Sequence, residues 1–380
     1  MREDKDIRVE TVTTYDGKER YIVVDSSGEP IPIIIKYLKF KDNIGGARNS
    51  LRTYSYHLKL YFDYLEQKKL DYTQVKLEDM AEFFQWLKNP YQKLNVSPIQ
   101  TIESARRPRT VNAVINTVTH FYDYLVRSGN DENTISEQLK RSMLGSQGNF
   151  KGFLYHLSKN KSYTKNLLKM KTPKEHPKTL TKEQVKKIMN ACTNLRDQFL
   201  IQLLWESSMR IGEALSLWLE DFKIDARKIQ IQDRGELINF AEIKTVHSCR
   251  SIDVSEELIN TYLEYISMFH TEEVDTNFVF IKVSGPNKHQ PLEYQDIVSL
   301  FNRLKAKTGI HCTPHMLRHS SLTTLRRAGW KDEHLMKRAG HAHVQTTIQM
   351  YVHPSDEDLK RDWEKVEEKI RIAKNQGETR

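Results

Sequence analysis

Residues 315–351 read HMLRHSSLTTLRRAGWKDEHLMKRAGHAHVQTTIQMY, and the rest of the chain is best read outward from them. Thr313-Pro314 opens a first helix, because proline is tolerated in a first turn and a preceding threonine can cap it. Leu317, Leu322 and Leu325 then recur on one face. Gly329 closes that helix, Lys331 to Ala339 makes a second, and Gly340 ends it. Thr346 to Met350 leads into Tyr351. His315, Arg318, His319, His341, His343 and Tyr351 are set on this frame. A lone histidine on a helix is more often a hydrogen-bonded core or surface group than a catalyst, and a lone tyrosine more often packs. The informative feature is the order: H-x-x-R, then G-H, then T-T-x-x-x-Y.

That order resembles the tyrosine recombinases, the family of phage integrases, Xer proteins and Cre-like enzymes. The resemblance demands a second arginine in a helix well upstream and a lysine on a hairpin between the two. Leu200 to Leu219, LIQLLWESSMRIGEALSLWL, supplies Arg210, with Glu213 in the place of the family's acid. Ile243 to Val254, IKTVHSCRSIDV, resembles the hairpin and puts Lys244 in the lysine position. The match runs from Thr179 to His353 and is specific because separated positions agree in both order and spacing. Two details vary. His341 and Tyr351 stand ten residues apart, as in many phage and transposon integrases, where Xer-like members have nine. Lys244 has Lys228 and Lys282 as rivals, but Lys244 followed by Thr245 and then Arg250 fits the family run better than either.

The resemblance implies DNA strand exchange through a covalent protein–DNA link, with no metal and no cofactor. A tyrosine hydroxyl, pKa about 10, is a poor nucleophile at neutral pH but a good leaving group, so a phosphotyrosyl bond can be made and reversed. Tyr351 would attack the scissile phosphate to give a 3′-phosphotyrosyl link and a free 5′-hydroxyl. Arg210 and Arg318 would hold the two non-bridging oxygens, since the planar guanidinium pairs phosphate bidentately and stays charged. Lys244 would protonate the leaving 5′-oxygen, His315 would assist proton transfer near the tyrosine, and His341 would hydrogen-bond a phosphate oxygen. Glu213 and His319 are expected to orient these groups without entering the chemistry, and His343 to be exposed. The histidines do not read as a zinc site, since there is no H-E-x-x-H and no cysteine pair at ligand spacing. Tyr262, Tyr265 and Tyr294 lack the motif context and are expected to be structural.

At 380 residues the chain has room for two or three domains. A net charge of +9 suits a phosphate-backbone partner, where each lysine or arginine contact releases counterions. Cys192, Cys249 and Cys312, odd in number and far apart, argue against a disulfide framework and for a reducing compartment. Nothing resembles a signal peptide, and no apolar run approaches the length of a membrane span. A cytoplasmic protein, nucleoid-associated when bound to DNA, is expected.

The expected fold is mainly α with small β-sheets. Residues 1–45 read as a small β-rich element, with strands at Ile7–Thr13, Arg20–Val24 and Ile31–Ile35 and turn signals at Asp16-Gly17 and Ser27-Gly28. A cap on the next domain is preferred to a DNA-touching accessory. Residues 46–160 read as a helical unit: Arg48–Gln67, Leu77–Leu87 and a helix preceded by Thr110 carry apolar side chains at helical spacing. The unit resembles the family's SAM-like core-binding domain, a clamp on one face of the duplex. Arg106, Arg107 and Arg109 at the entrance of its last helix are candidate phosphate contacts, a solvated loop being the plain alternative. Residues 161–178 read as a basic linker, 179–365 as a mixed α/β catalytic domain and 366–380 as a helical tail. The catalytic domain is expected to hold strands at Lys228–Asp233, Glu242–Thr245 and Arg250–Val254. A charged helix, Asp356–Lys374, carries Leu359, Trp363, Val366 and Ile370 on one face, to be covered by its own domain or by a neighbouring subunit.

The expected function is a site-specific recombinase, integrase or transposase, that integrates or excises a mobile element. Double-stranded DNA is the expected partner, with a homo-tetramer in the synapse and partner recombinases encoded by the same element. A type IB topoisomerase-like strand transferase and a catalytically silent DNA-binding accessory protein are the alternatives. A requirement for two paired sites separates the first, and strand cleavage separates the second.

Overall fold

The computed structural model describes residues 6–89, 104–129, 135, 139–143, 163–173, 178–243 and 248–341, with scattered positions between 360 and 371. The chain divides into two compact units, Met1–Lys174 and Glu175–Arg380. Each has its own apolar core.

The first unit opens with an antiparallel hairpin, β1 (Arg8–Thr13) and β2 (Glu19–Val24), in which Arg8 faces Val24 and Thr13 faces Glu19. The expected third strand at Ile31–Ile35 is instead the start of a helix, α1 (Pro32–Asn43). The β-branched run suggested a strand, but Pro32 in the first turn starts the helix, and Ile33, Ile34, Tyr37 and Leu38 then fall on one buried helical face. Three further helices follow: α2 (Arg48–Lys68), α3 (Leu77–Lys88) and α4 (Pro108–Arg127). Helix α4 starts two residues before Thr110, again because proline is pre-set for the first turn, which makes Arg107 its N-cap. The Tyr and Phe stripes of these helices are core. Tyr61 and Phe83 rings lie 4.9 Å apart, and the Tyr61 and Tyr122 hydroxyls share a 2.5 Å hydrogen bond. Ile7 and Val23 of the hairpin segment belong to that same core.

Part of the stretch read as linker is built into this unit. β3 (Lys140–Met143) pairs antiparallel with β4 (Tyr163–Asn166). Beyond it, the Asn112 side-chain amide donates to Met170 O at 3.0 Å and accepts from Met170 N–H at 2.8 Å. The basic composition hid this, since short polar strands carry little periodicity.

The second unit begins with α5 (Lys182–Asn190), capped by a reciprocal pair between Thr181 and Gln184. α6 (Leu195–Ser207) is buried on nearly every side and forms the axis of the core. The short α7 (Ile211–Leu215) leads to a three-stranded antiparallel sheet in the order β5 (Phe222–Lys223), β6 (Lys228–Ile231) and β7 (Arg250–Asp253). Ile229 and Ile252 are cross-strand partners on the inner face. β6 ends at Ile231, short of the expected Asp233, as Gln232 and Arg234 turn to hydrogen-bond Asp221. Of the expected strand Glu242–Thr245, Glu242 and Ile243 are not in a strand, and Lys244 and Thr245 lie outside the described residues. Four helices complete the unit: α8 (Glu256–Phe269), α9 (Tyr294–Thr308), α10 (Pro314–Arg327) and α11 (Asp332–Ala339). Thr313 caps α10 by accepting from Met316 N–H at 3.2 Å. Of the expected C-terminal helix, the described positions are helical, and Trp363 and Val366 are exposed; Leu359 and Ile370 lie outside the described residues. Among the described residues no helix is long and apolar enough to cross a membrane.

Candidate active site

The end of α11 holds the site together. Gly340 takes a left-handed conformation, φ 61°, and the N–H of His341 returns to Met336 O at 3.1 Å, which closes the helix. The carbonyls of Arg338, Ala339 and Gly340 sit at the negative end of its dipole. An arginine reaches each one. Arg250 Nε donates to Arg338 O at 2.7 Å, Arg318 Nη2 to Ala339 O at 2.6 Å, and Arg210 Nη2 to Gly340 O at 3.1 Å.

The three arginines come from different elements. Arg210 is the N-cap of α7, in the tight turn after α6, where Ser208 is left-handed with φ 58°. Arg318 lies on α10 and is 2% exposed. Its Nη1 donates to Ser208 O at 2.7 Å, so one guanidinium joins the ends of α6 and α11. Ser208 and Ser321 hydroxyls fix the same junction at 2.6 Å. Arg250 comes from the first position of β7.

Glu213 sits beneath two of the arginines with 1% side-chain exposure. Its Oε1 accepts from Arg210 Nη1 at 2.8 Å and Arg250 Nη1 at 3.1 Å. Its Oε2 accepts from the Arg210 backbone N–H at 2.8 Å and Arg250 Nη2 at 2.9 Å. Burial works to raise this carboxyl, but hydrogen bonds and charge from Arg250, with the N–H and charge of Arg210, outweigh it and hold it below the usual range. Glu213 is therefore an anion at neutral pH.

His341 Nε2 lies 3.0 Å from Arg318 Nη2. Burial, then the charges of Arg318, Arg210 and Arg250, push its pKa down to about 4. The ring is neutral and, with Arg318 donating, its Nε2 accepts. One turn apart on α10, His315 and His319 meet edge to face with Nε2 atoms 2.7 Å apart. His319 is buried, and burial, then His315, Arg318 and His341, push it down to about 3. His315 is exposed.

Of the residues singled out from the sequence, Arg210, Glu213, Arg318 and His341 are joined in one hydrogen-bonded network, and His315 and His319 form a pair on the helix that bears Arg318. Lys244, His343 and Tyr351 lie outside the described residues. The rival Lys282 is engaged with Glu293 at 2.9 Å and Asp296 at 3.6 Å, and Lys228 with Asp253 at 3.6 Å. Tyr262 and Tyr265 are core residues bonded to the carbonyls of Leu219 and Val279; Tyr294 is exposed. Arg250 and Ser248, whose carbonyl accepts from Arg250 Nη1 at 2.6 Å, were not singled out as site residues. A clue was available: an arginine interrupts an otherwise alternating strand, at a position the pleat turns inward.

In the other unit, Arg106 donates to Leu87 O at 2.8 Å and lies over the Trp86 ring, so it serves the fold. Arg107 and Arg109 are exposed at the start of α4.

A buried carboxylate, three guanidiniums converging on one helix end and a neutral imidazole beside them make a cluster with the charge to bind an oxyanion, in a mainly helical domain with a small sheet. The chain belongs to the phage integrase family and is a tyrosine recombinase, an enzyme of site-specific DNA strand breakage and rejoining. Residues 178–358 match the phage integrase family. Transposase A from transposon Tn554 of Staphylococcus aureus is 38% identical over 346 residues, 91% of this chain and 93% of that protein. Tyrosine recombinase XerA of Pyrococcus horikoshii is 27% identical over 205 residues, 54% of this chain and 66% of that one. Among solved structures, the Tn1549 transposon integrase in complex with a circular intermediate DNA matches with a TM-score of 0.60 at 17% identity, over 88% of this chain and 99% of that one. At that identity the likeness is one of fold.

Proposed function

We propose that the protein is the recombinase of a mobile element, cutting and rejoining double-stranded DNA at the element's ends to integrate or excise it. Tyr351 attacks the scissile phosphate, its proton passing toward His315. The bond to the 5′-oxygen breaks, Lys244 protonates that oxygen, and the DNA is left as a 3′-phosphotyrosyl ester. Attack by another 5′-hydroxyl reverses the chemistry, so no high-energy cofactor and no metal is consumed. Arg210 and Arg318 bind the non-bridging oxygens, whose charge grows as the phosphate becomes five-coordinate, and His341 adds a hydrogen bond. Glu213 and His319 orient these groups. Arg107 and Arg109 contact the DNA backbone from the N-terminal unit. The active assembly is a tetramer on two sites, working in the cytoplasm with partner recombinases of the same element.

The observation that carries this reading is the convergence of Arg210 and Arg318, 108 residues apart in the chain, on adjacent carbonyls of one helix end, with His341 beside them. The similarity to a transposon's transposase over nine-tenths of the chain supports the mobile-element assignment. The test is trapping on a nicked duplex made from the ends of the element that carries the gene, in EDTA, with wild type beside Tyr351→Phe. A covalent protein–DNA band in wild type alone is expected. A band that persists in the variant would move the nucleophile to another tyrosine, and DNA binding without any band would favour an accessory role.

A further inference from the structure

Glu213 poses a problem that Arg210 cannot solve alone. The proposed function needs the Arg210 charge for a phosphate, yet its guanidinium lies 2.8 Å from a carboxylate with 1% exposure. One buried carboxylate against one guanidinium leaves no net charge there. Arg250 changes this balance. Its Nη1 and Nη2 bond both carboxylate oxygens, its side chain is 5% exposed, and its other bonds go to Ser248 O and Arg338 O. All three of its nitrogens are thus spent inside the protein, and none is offered to DNA.

We infer that Arg250 is a positioning residue for recombination: it neutralises Glu213, so that the charge of Arg210 stays available to the scissile phosphate, and it ties the last turn of α11 to the start of β7. The inference rests on the function proposed above. Three guanidiniums and one carboxylate leave two positive charges, matching a phosphodiester whose charge rises from one to two negative in the transition state. Without Arg250 a single positive charge remains, and Glu213 bonds Arg210 alone. Glu213 needs both partners because an unpaired buried carboxylate is costly.

The test compares Arg250→Met, Arg250→Lys, Glu213→Gln and the double variant Arg250→Met/Glu213→Gln in the full chain. The readout is single-turnover formation of the covalent complex on the nicked element-end duplex, with DNA affinity and Tm measured in parallel. Arg250→Met is expected to slow cleavage about a hundredfold, the scale of losing one oxyanion-binding group, with DNA affinity unchanged. Arg250→Lys keeps the charge and falls between. The deciding arm is the double variant: removing the Glu213 charge releases Arg210, so cleavage recovers about tenfold over Arg250→Met. A purely structural Arg250 gives additive losses instead, and this outcome, or an Arg250→Met within about threefold of wild type, overturns the inference. If Arg250→Met does not fold, Arg250→Gln with and without Glu213→Gln carries the same comparison, recovery supporting and further loss overturning. Wild type against Tyr351→Phe on the same duplex tests the proposed function independently of any Arg250 variant.

Discussion

Arg318 shows how much one side chain does here. Its two terminal nitrogens satisfy Ser208 O and Ala339 O while one of them also reaches His341, so a planar group with several fixed donors is required. Arg318→Lys keeps the charge but cannot span both carbonyls. Stranding one buried carbonyl costs about 1–3 kcal/mol. We expect a lower Tm and covalent-complex formation slowed by about two orders of magnitude, both measurable on the same preparation. An unchanged Tm would mean the junction between the two helix ends is held by other bonds. The histidines give a pH signature. His319 and His341 titrate at about 3 and about 4 in the folded protein, against about 6.5 when unfolded. Between those values the unfolded chain binds protons that the folded one does not. Their contribution is therefore fully present above the unfolded pKa and is lost as pH falls toward 4. Thermal melts from pH 7 to 4 should show a falling Tm, and a shallower fall in His319→Gln. Sequence reading reached Arg210, Arg318 and His341 because motif spacing is a property of the chain. It missed Arg250 because a charge partner is chosen by the fold: nothing local to β7 says that its arginine meets a glutamate 37 residues upstream.

Helix ends are where the elements of the second unit meet. α6, α7 and α11 are short or capped, and the turn after α6 passes Arg210 into α7 only because the backbone comes very close at Gly212. A Cβ there would lie 2.7 Å from Glu242 O, a backbone atom that cannot swing aside. Gly212→Ala should therefore push back the backbone at Glu242, at a cost of about 1–3 kcal/mol. Slower cleavage with retained DNA binding is the expected result; a variant as active and as stable as wild type would show that the backbone there is free to shift. Helix positions were largely legible, since caps such as Thr181, Thr313 and Gly340 announce themselves in sequence. The error fell where propensity and burial disagree: Ile31–Ile35 looked like a strand and was claimed by α1.

Each of the two units has its own apolar core. The chain's net charge of +9 predicts DNA binding that weakens steeply with salt. Replacing Arg107 or Arg109 with alanine should reduce affinity alike for all sequences and flatten the salt slope by about one unit each. Arg106→Ala should instead lower the Tm of the N-terminal unit, because it caps Leu87 O. Equal salt effects for all three would place Arg106 on the DNA as well. The meeting of three arginines at the end of α11 also has a consequence for the order in which the protein is made. Arg210 leaves the ribosome 130 residues before Gly340, and Arg250 leaves 88 residues before Arg338. At about 5–20 residues per second, both wait several seconds for the carbonyls that will hold them. The residue proposed to attack DNA is made later still. A nascent or prematurely ended chain thus has neither a finished clamp nor a nucleophile, and the genome is spared a half-built nuclease by translation order alone.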